Sequence, residues 1–177
     1  MVDFRLSPQA ALEGKRPVVR NSFILEALPE GHVVQVLANP CDGNICAFIA
    51  SLANGAQFAV RAAAPGQWFI VGDNALSHAQ MQALCASIPS HADAIDQSHG
   101  RVRISARGSA VRRVLAKGTA VDLSPDAFAV GHATTTLITH VAAHVSRTGE
   151  NAFEIMVLRG FAESLWDDLD HMSRDCV

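Results

Sequence analysis

Two stretches of the chain, QWFIVGDNALSHAQMQALCA and AFEIMVLRGFAESLWDDLDH, share one layout: a short run rich in β-branched and aromatic residues, a turn, then apolar residues at helical spacing. That layout limits the fold more than any other feature of the 177 residues. A strand followed closely by an amphipathic helix must fold the helix back onto the sheet that the strand joins. The expected class is therefore α+β, with two similar antiparallel-sheet-plus-helix halves: residues 31–100 and 101–177, joined near Gly100, behind an N-terminal arm of residues 1–30. Identity between the two stretches is low, so the repeat is one of architecture.

The intervening segments supply the other strands. GHVVQVLA, NICAFIASL and AQFAVRA are short, rich in β-branched or aromatic residues and separated by the turn signals PCDGN and ANG, which predicts antiparallel strands joined by hairpins. Residues 67–71 then run through Gly72-Asp73-Asn74 into a helix with Leu76, Ala79, Ala83 and Leu84 at apolar positions, Ser77 as N-cap and Pro89 as its limit. Residues 94–98 and 101–106 read as strands around Ser98-His99-Gly100, and Ser109 opens a helix with Val111, Val114 and Leu115 inward. Lys117 and Gly118 suit its last turn and C′ position. Strands are expected at 134–139, 142–147 and 153–158, before a closing helix at 160–171 that buries Phe161, Leu165 and Leu169 and carries Trp166 at its flank. The first thirty residues, broken by Pro8, Pro17 and Pro29, read as an arm ordered by packing on something else, outside the core.

Charge and composition narrow the function. Fourteen Lys and Arg against seventeen Asp and Glu give a formal net charge of -3 without a basic run, so polyanionic partners are not expected. No apolar run reaches the ~18 residues of a membrane span, and MVDFRLSPQAALEGKRP lacks the pattern of a signal peptide, so a cytoplasmic location is the expectation. Cys41, Cys46, Cys85 and Cys176 form no C-x-x-C pair and suit reduced thiols, although a hairpin across DGN would bring Cys41 and Cys46 close. With 49% hydrophobic and 18% charged residues, part of the apolar surface is expected to serve an interface.

Few residues invite chemistry. His140 and His144 have the i, i+4 spacing of helical metal ligands, but their surroundings read as strands, where they would lie ~13 Å apart. Ser98 and His99 would point to opposite faces of a strand, and neither phosphate-binding glycine pattern is present. Asp122, between Val121 and Leu123, is a candidate acid/base if its apolar neighbours raise its pKa; the structural alternative is a turn capped by Ser124 with Pro125 and Asp126 at its start. Arg159, Glu163, Trp166, Asp167 and Asp168 form the polar and aromatic side of the last helix, and Arg159 and Trp166 are residue types that anchor interfaces. Arg159, Phe161, Glu163 and Trp166 are accordingly the expected partner contacts.

The ordered set IDQSHGRVRISARGSAVRRVLAKGTAVDL, DAFAVGHATTTLI and FEIMVLRGFAESLWDDL resembles the gamma subunit of heterotetrameric sarcosine oxidase, most specifically at residues 113–123 and 158–169. It departs from that family's pattern at Thr119, Ser124 and Gly160, where Cys, His and Ser are common. The resemblance implies the fold of the folate-binding aminomethyltransferase (glycine-cleavage T-protein) group, and a non-catalytic role beside alpha, beta and delta subunits. Those chains would hold FAD, FMN, NAD and zinc, none of them bound here. The implied reaction is oxidative demethylation of sarcosine to glycine, formaldehyde and hydrogen peroxide, or to methylene-tetrahydrofolate with folate present. The alternatives are the small subunit of a related N-methyl amino-acid dehydrogenase complex and a freestanding folate-dependent one-carbon-transfer protein with Asp122 as acid/base.

Overall fold

A computed structural model describes residues 9–40, 42–54 and 58–176. Ten strands and four helices follow the chain as β1 (Val18–Arg20), β2 (Phe23–Ala27), β3 (His32–Ala38), α1 (Gly43–Asn54), β4 (Ala59–Ala64), β5 (Gln67–Gly72), α2 (His78–Ser87), β6 (Ala92–Asp96), β7 (Arg101–Arg107), α3 (Val111–Leu115), β8 (Ala133–Ile138), β9 (Val141–Gly149), β10 (Ala152–Leu158) and α4 (Ala162–Met172), with a short 3-10 turn, Arg159–Phe161, before the last helix. They build two antiparallel sheets, one of six strands in the order β1-β2-β7-β10-β9-β8 and one of four in the order β4-β5-β3-β6. The expected α+β class with sheet-plus-helix halves is borne out.

Three local readings change. NICAFIASL is the helix α1, not a strand: Ile45, Phe48, Ile49 and Leu52 recur at helical spacing and pack against the four-stranded sheet. Asp42 starts it, its carboxylate accepting from the amides of Asn44 and Ile45 at 2.9 and 3.3 Å. Cys46 is exposed and free on this helix, while Cys41 lies outside the described residues. Residues 18–27 form a hairpin at the edge of the larger sheet, and Phe23 and Leu25 are core residues rather than parts of a detached arm; residues 1–8 lie outside the described ones. In the closing helix Trp166 is 3% exposed, inside the core, while Phe161 is 53% exposed.

The expected helix starts divide. Ser77 and Gln80 form a reciprocal capping box at the start of α2. Ser109 does not cap α3, which has no side-chain cap. Gly118 has a role beyond ending that helix: a Cβ there would lie 3.0 Å from Met172 Sδ and 3.1 Å from Ile138 Cγ2, so glycine lets α4 and β8 close over the chain. The β8–β9 turn is a tight one, with Thr139 at φ 54°, and its strain is held by bonds to Gly118 O at 2.7 Å and Asp168 Oδ2 at 2.5 Å.

The six-stranded sheet has two unlike faces, as period-2 alternation requires. Val102, Ile104 and Ala106 of β7, Phe153, Ile155 and Val157 of β10, and Ala143 and Val145 of β9 pack with α3 and α4 into the main core. The opposite face presents Arg101, Arg103, Ser105, Glu154, His144 and Ser146 toward the smaller sheet. Val33, Phe69, Val71 and Met156, with Ala59 and Ala63 against them, make a small apolar cluster in that seam.

Candidate functional site

The seam between the sheets concentrates the molecule's buried polar chemistry. Glu154, 7% exposed, stands opposite Ser105 on the neighbouring strand and receives Arg61 at 3.3 Å and Arg103 at 3.5 Å. Arg103, on the diagonal of that strand pair, also reaches Asp73 at 2.5 Å and the Gly72 carbonyl at 2.9 Å. These side chains line a cleft of about 400 Å³ with Phe58, Val71 and Phe153. Two guanidiniums and two carboxylates therefore balance each other where unpaired charge would be expensive. Gly72 admits His32, whose ring would lie 2.2 Å from a Cβ at that position and whose Nδ1 meets Asn74 O at 2.8 Å.

His144 sits further along the same face. Its Nε2 donates to the Ala62 carbonyl at 2.8 Å, which leaves Nδ1 as an acceptor for the Ser146 hydroxyl at 3.4 Å. Burial pushes its pKa below the ordinary imidazole value, partly offset by the Ala62 bond and by Glu154. Its ring meets Phe69 edge-on, and the Arg101 guanidinium lies 4.7 Å from the centroid of the same Phe69 ring. The neutral His144 thus ties β9 to β4, and the Ser146 hydroxyl facing its other nitrogen is 2% exposed, enclosed within the seam.

The candidates read from sequence fall elsewhere. Asp122 is exposed on the loop after α3, and its carboxylate accepts from the Ser124 amide at 2.9 Å. That bond holds its pKa below the usual carboxylate value, the reverse of the shift an acid/base would need. Ser124 also opens the turn, its carbonyl accepting from the Phe128 amide at 2.8 Å. Arg159 is bound to both Glu30 oxygens at 2.9 Å and to the Gln9 carbonyl, locking the N-terminal residues against the 3-10 turn. Phe161 and Glu163 are exposed, whereas Trp166 is buried and offers no surface; the expected interface set is therefore split by the helix's own rotation. His140 is exposed on the β8–β9 turn while His144 is buried in the seam, so they share no ligand site. Ser98 donates to Asp96 at 2.6 Å and caps the Val33 amide at 3.1 Å, a fixed structural arrangement.

Arg61, Arg103 and Glu154 were not singled out from sequence, although the signal was there. RVRISA alternates charge with apolar residues, the period of a strand with two unlike buried faces, and FEIMVL places one carboxylate at the matching phase.

A family model described as the sarcosine oxidase gamma subunit family matches residues 42–175. No curated protein matches the sequence. Among solved structures, a chain of the heterotetrameric sarcosine oxidase from Corynebacterium sp. U-96, in complex with pyrrole 2-carboxylate, superposes with a TM-score of 0.80 over 95% of each chain at 19% identity. The glycine cleavage system aminomethyltransferase T from Bartonella henselae aligns with a TM-score of 0.62 at 16% identity, over 85% of this chain and 46% of that one. At these identities the superpositions speak for a shared fold, and the aminomethyltransferase-like architecture expected from the sequence is borne out.

Proposed function

The chain belongs to the sarcosine oxidase gamma subunit family, and from that premise we propose that it is the non-catalytic subunit of a heterotetrameric enzyme, holding larger chains in place while they carry out the oxidation. The reaction in this reading is oxidative demethylation of sarcosine to glycine, formaldehyde and hydrogen peroxide, or to methylene-tetrahydrofolate where folate is present. Its partners are the alpha, beta and delta subunits, which carry the FAD, FMN, NAD and zinc, and the assembly works in the cytoplasm. Among the described residues no helix is long and apolar enough to cross a membrane.

The observation that carries the reading is the family match through residues 42–175. The seam adds a physical reason. Its most buried charges, Arg103 and Glu154, are engaged with each other and with Arg61 and Asp73, which is how a scaffold stacks two sheets. Co-expression of the tagged chain with the alpha, beta and delta subunits is expected to return a four-chain complex that releases hydrogen peroxide from sarcosine. A tagged chain that purifies alone in their presence overturns the reading.

A further inference from the structure

The buried and half-buried arginines of the larger sheet and its seam are treated unequally. Arg147 donates to three carbonyls, those of Phe128, Gly149 and Glu150. Arg61 and Arg103 share Glu154. Arg101, by contrast, has no side-chain hydrogen bond or ion pair among the described residues, although its Nε is buried and burial depresses its pKa. Its guanidinium lies over the face of Phe69, at 4.7 Å from the ring centroid. An arginine cannot shed its proton to escape that environment. The seam's carboxylate is out of reach: Glu154 lies four residues along β10 from Leu158, the residue directly opposite Arg101, or ~13 Å of strand.

The space in front of Arg101 is shaped for an acceptor. A cleft of about 330 Å³ opens there, lined by Gln35, Gln67, Thr135 and Leu158 among others and by no acidic residue. Neither glutamine amide has a hydrogen-bond partner among the described residues, so both are available as donors. The rim is apolar. Leu158 is 45% exposed, and Leu137, 55% exposed, follows Thr135 on the same face of β8. Ile95, also exposed, stands opposite Gln35 on β6. Leu158 lines the cleft itself, and Leu137 and Ile95 stand beside its lining residues Thr135 and Gln35.

We propose that this cleft is a docking socket for one aspartate or glutamate side chain, carried on an otherwise apolar segment of a larger partner subunit. The carboxylate forms a forked pair with Arg101, the glutamine amides complete its shell, and Leu137, Leu158 and Ile95 cover the apolar residues around it. A cleft this small, at the lower end of the size of ligand sites, admits one side chain rather than a segment of backbone. The inference rests on the subunit reading and commits to a surface different from the Phe161–Glu163 side of α4.

The test is assembly of the complete complex from its four chains, with wild type, Arg101→Met and Arg101→Glu. Wild type is expected to assemble. Arg101→Met is expected to bind the larger subunits about 30-fold more weakly or worse, and Arg101→Glu to be excluded from the complex. Both variants should keep the circular dichroism of the free wild-type chain and a thermal midpoint close to its own, because among the described residues the Arg101 side chain makes no hydrogen bond or ion pair and gives up only its contact with the Phe69 ring. Should Arg101→Glu misfold, Arg101→Met and Arg101→Lys decide, with lysine restoring part of the affinity. Equal assembly of folded Arg101→Met and wild type overturns the socket while leaving the subunit reading intact. Failure of the wild-type chain to assemble overturns both. Sarcosine or acetate binding to the free chain, abolished by Arg101→Met with assembly unaffected, assigns the cleft to a small carboxylate and also overturns the proposal.

Discussion

The two faces of the six-stranded sheet make different kinds of contact from the same strands. Toward α3 and α4 the sheet buries an apolar layer, with Ile104, Ile155, Leu165 and Leu169 wholly enclosed. Toward the second sheet it presents guanidinium, carboxylate and imidazole groups around a small apolar cluster. Apolar burial is non-directional and supplies most of the stability, whereas buried ion pairs are tolerant of little besides their own geometry. The helix side therefore holds the fold together, and the seam fixes how the two sheets are placed on each other.

The largest effect is expected on the helix side. Trp166→Ala opens a cavity in the main core and should cost about 4 kcal/mol in denaturant unfolding. A loss below about 1 kcal/mol would show that this side is not the dominant one. In the seam, Glu154→Gln leaves Arg61 and Arg103 facing each other without their shared carboxylate and should cost about 3 kcal/mol. The double variant Arg61→Met, Glu154→Leu should recover part of that loss, since it removes charges together rather than stranding one. If the double variant is worse than the single one, the pair contributes net stability and the two faces differ less in kind.

The smallest effect separates the faces by pH. The folded-state pKa of His144 is depressed, so between the unfolded imidazole value near 6.5 and the folded value the unfolded chain binds more protons. Stability contributed by the neutral ring is present above about pH 6.5 and is lost as pH falls through the folded pKa. The wild-type chain should lose more stability than His144→Gln between about pH 7.5 and about pH 5.5 by equilibrium denaturation. Parallel curves for the two proteins would remove His144 from the account of the seam.

The helix side was the more legible in sequence for a physical reason. Apolar periodicity gave α4 with Leu165 and Leu169 inward, β7 and β10, and the strand-turn-helix repeat. It failed at Phe161, which sits in the 3-10 turn before α4 where residues advance by a wider angle, and at Trp166, which shares the buried face with Ala162 and Leu169 at ordinary helical spacing. It failed again at α1, where short apolar spacing suits either period and the Asp42 cap was the deciding signal. The seam was less legible. Charges alternating along β7 look like a solvated face, and only the second sheet, brought over by pairing between distant segments, turns them inward.

The placement of the β1–β2 hairpin has a consequence for synthesis on the ribosome. All strands of the smaller sheet and both of its helices lie between residues 32 and 96, so that unit can close while the rest of the chain is still being made. The hairpin precedes all of it in the sequence, yet the strand it pairs with is β7, which is itself secured by β10. Its last clasp comes later still, when Arg20 reaches the Ser173 carbonyl and Asp170 at the far end of α4. Phe23 and Leu25 therefore stay uncovered until β7 and then α4 have been made, an interval in which a nascent chain benefits from a chaperone's shelter.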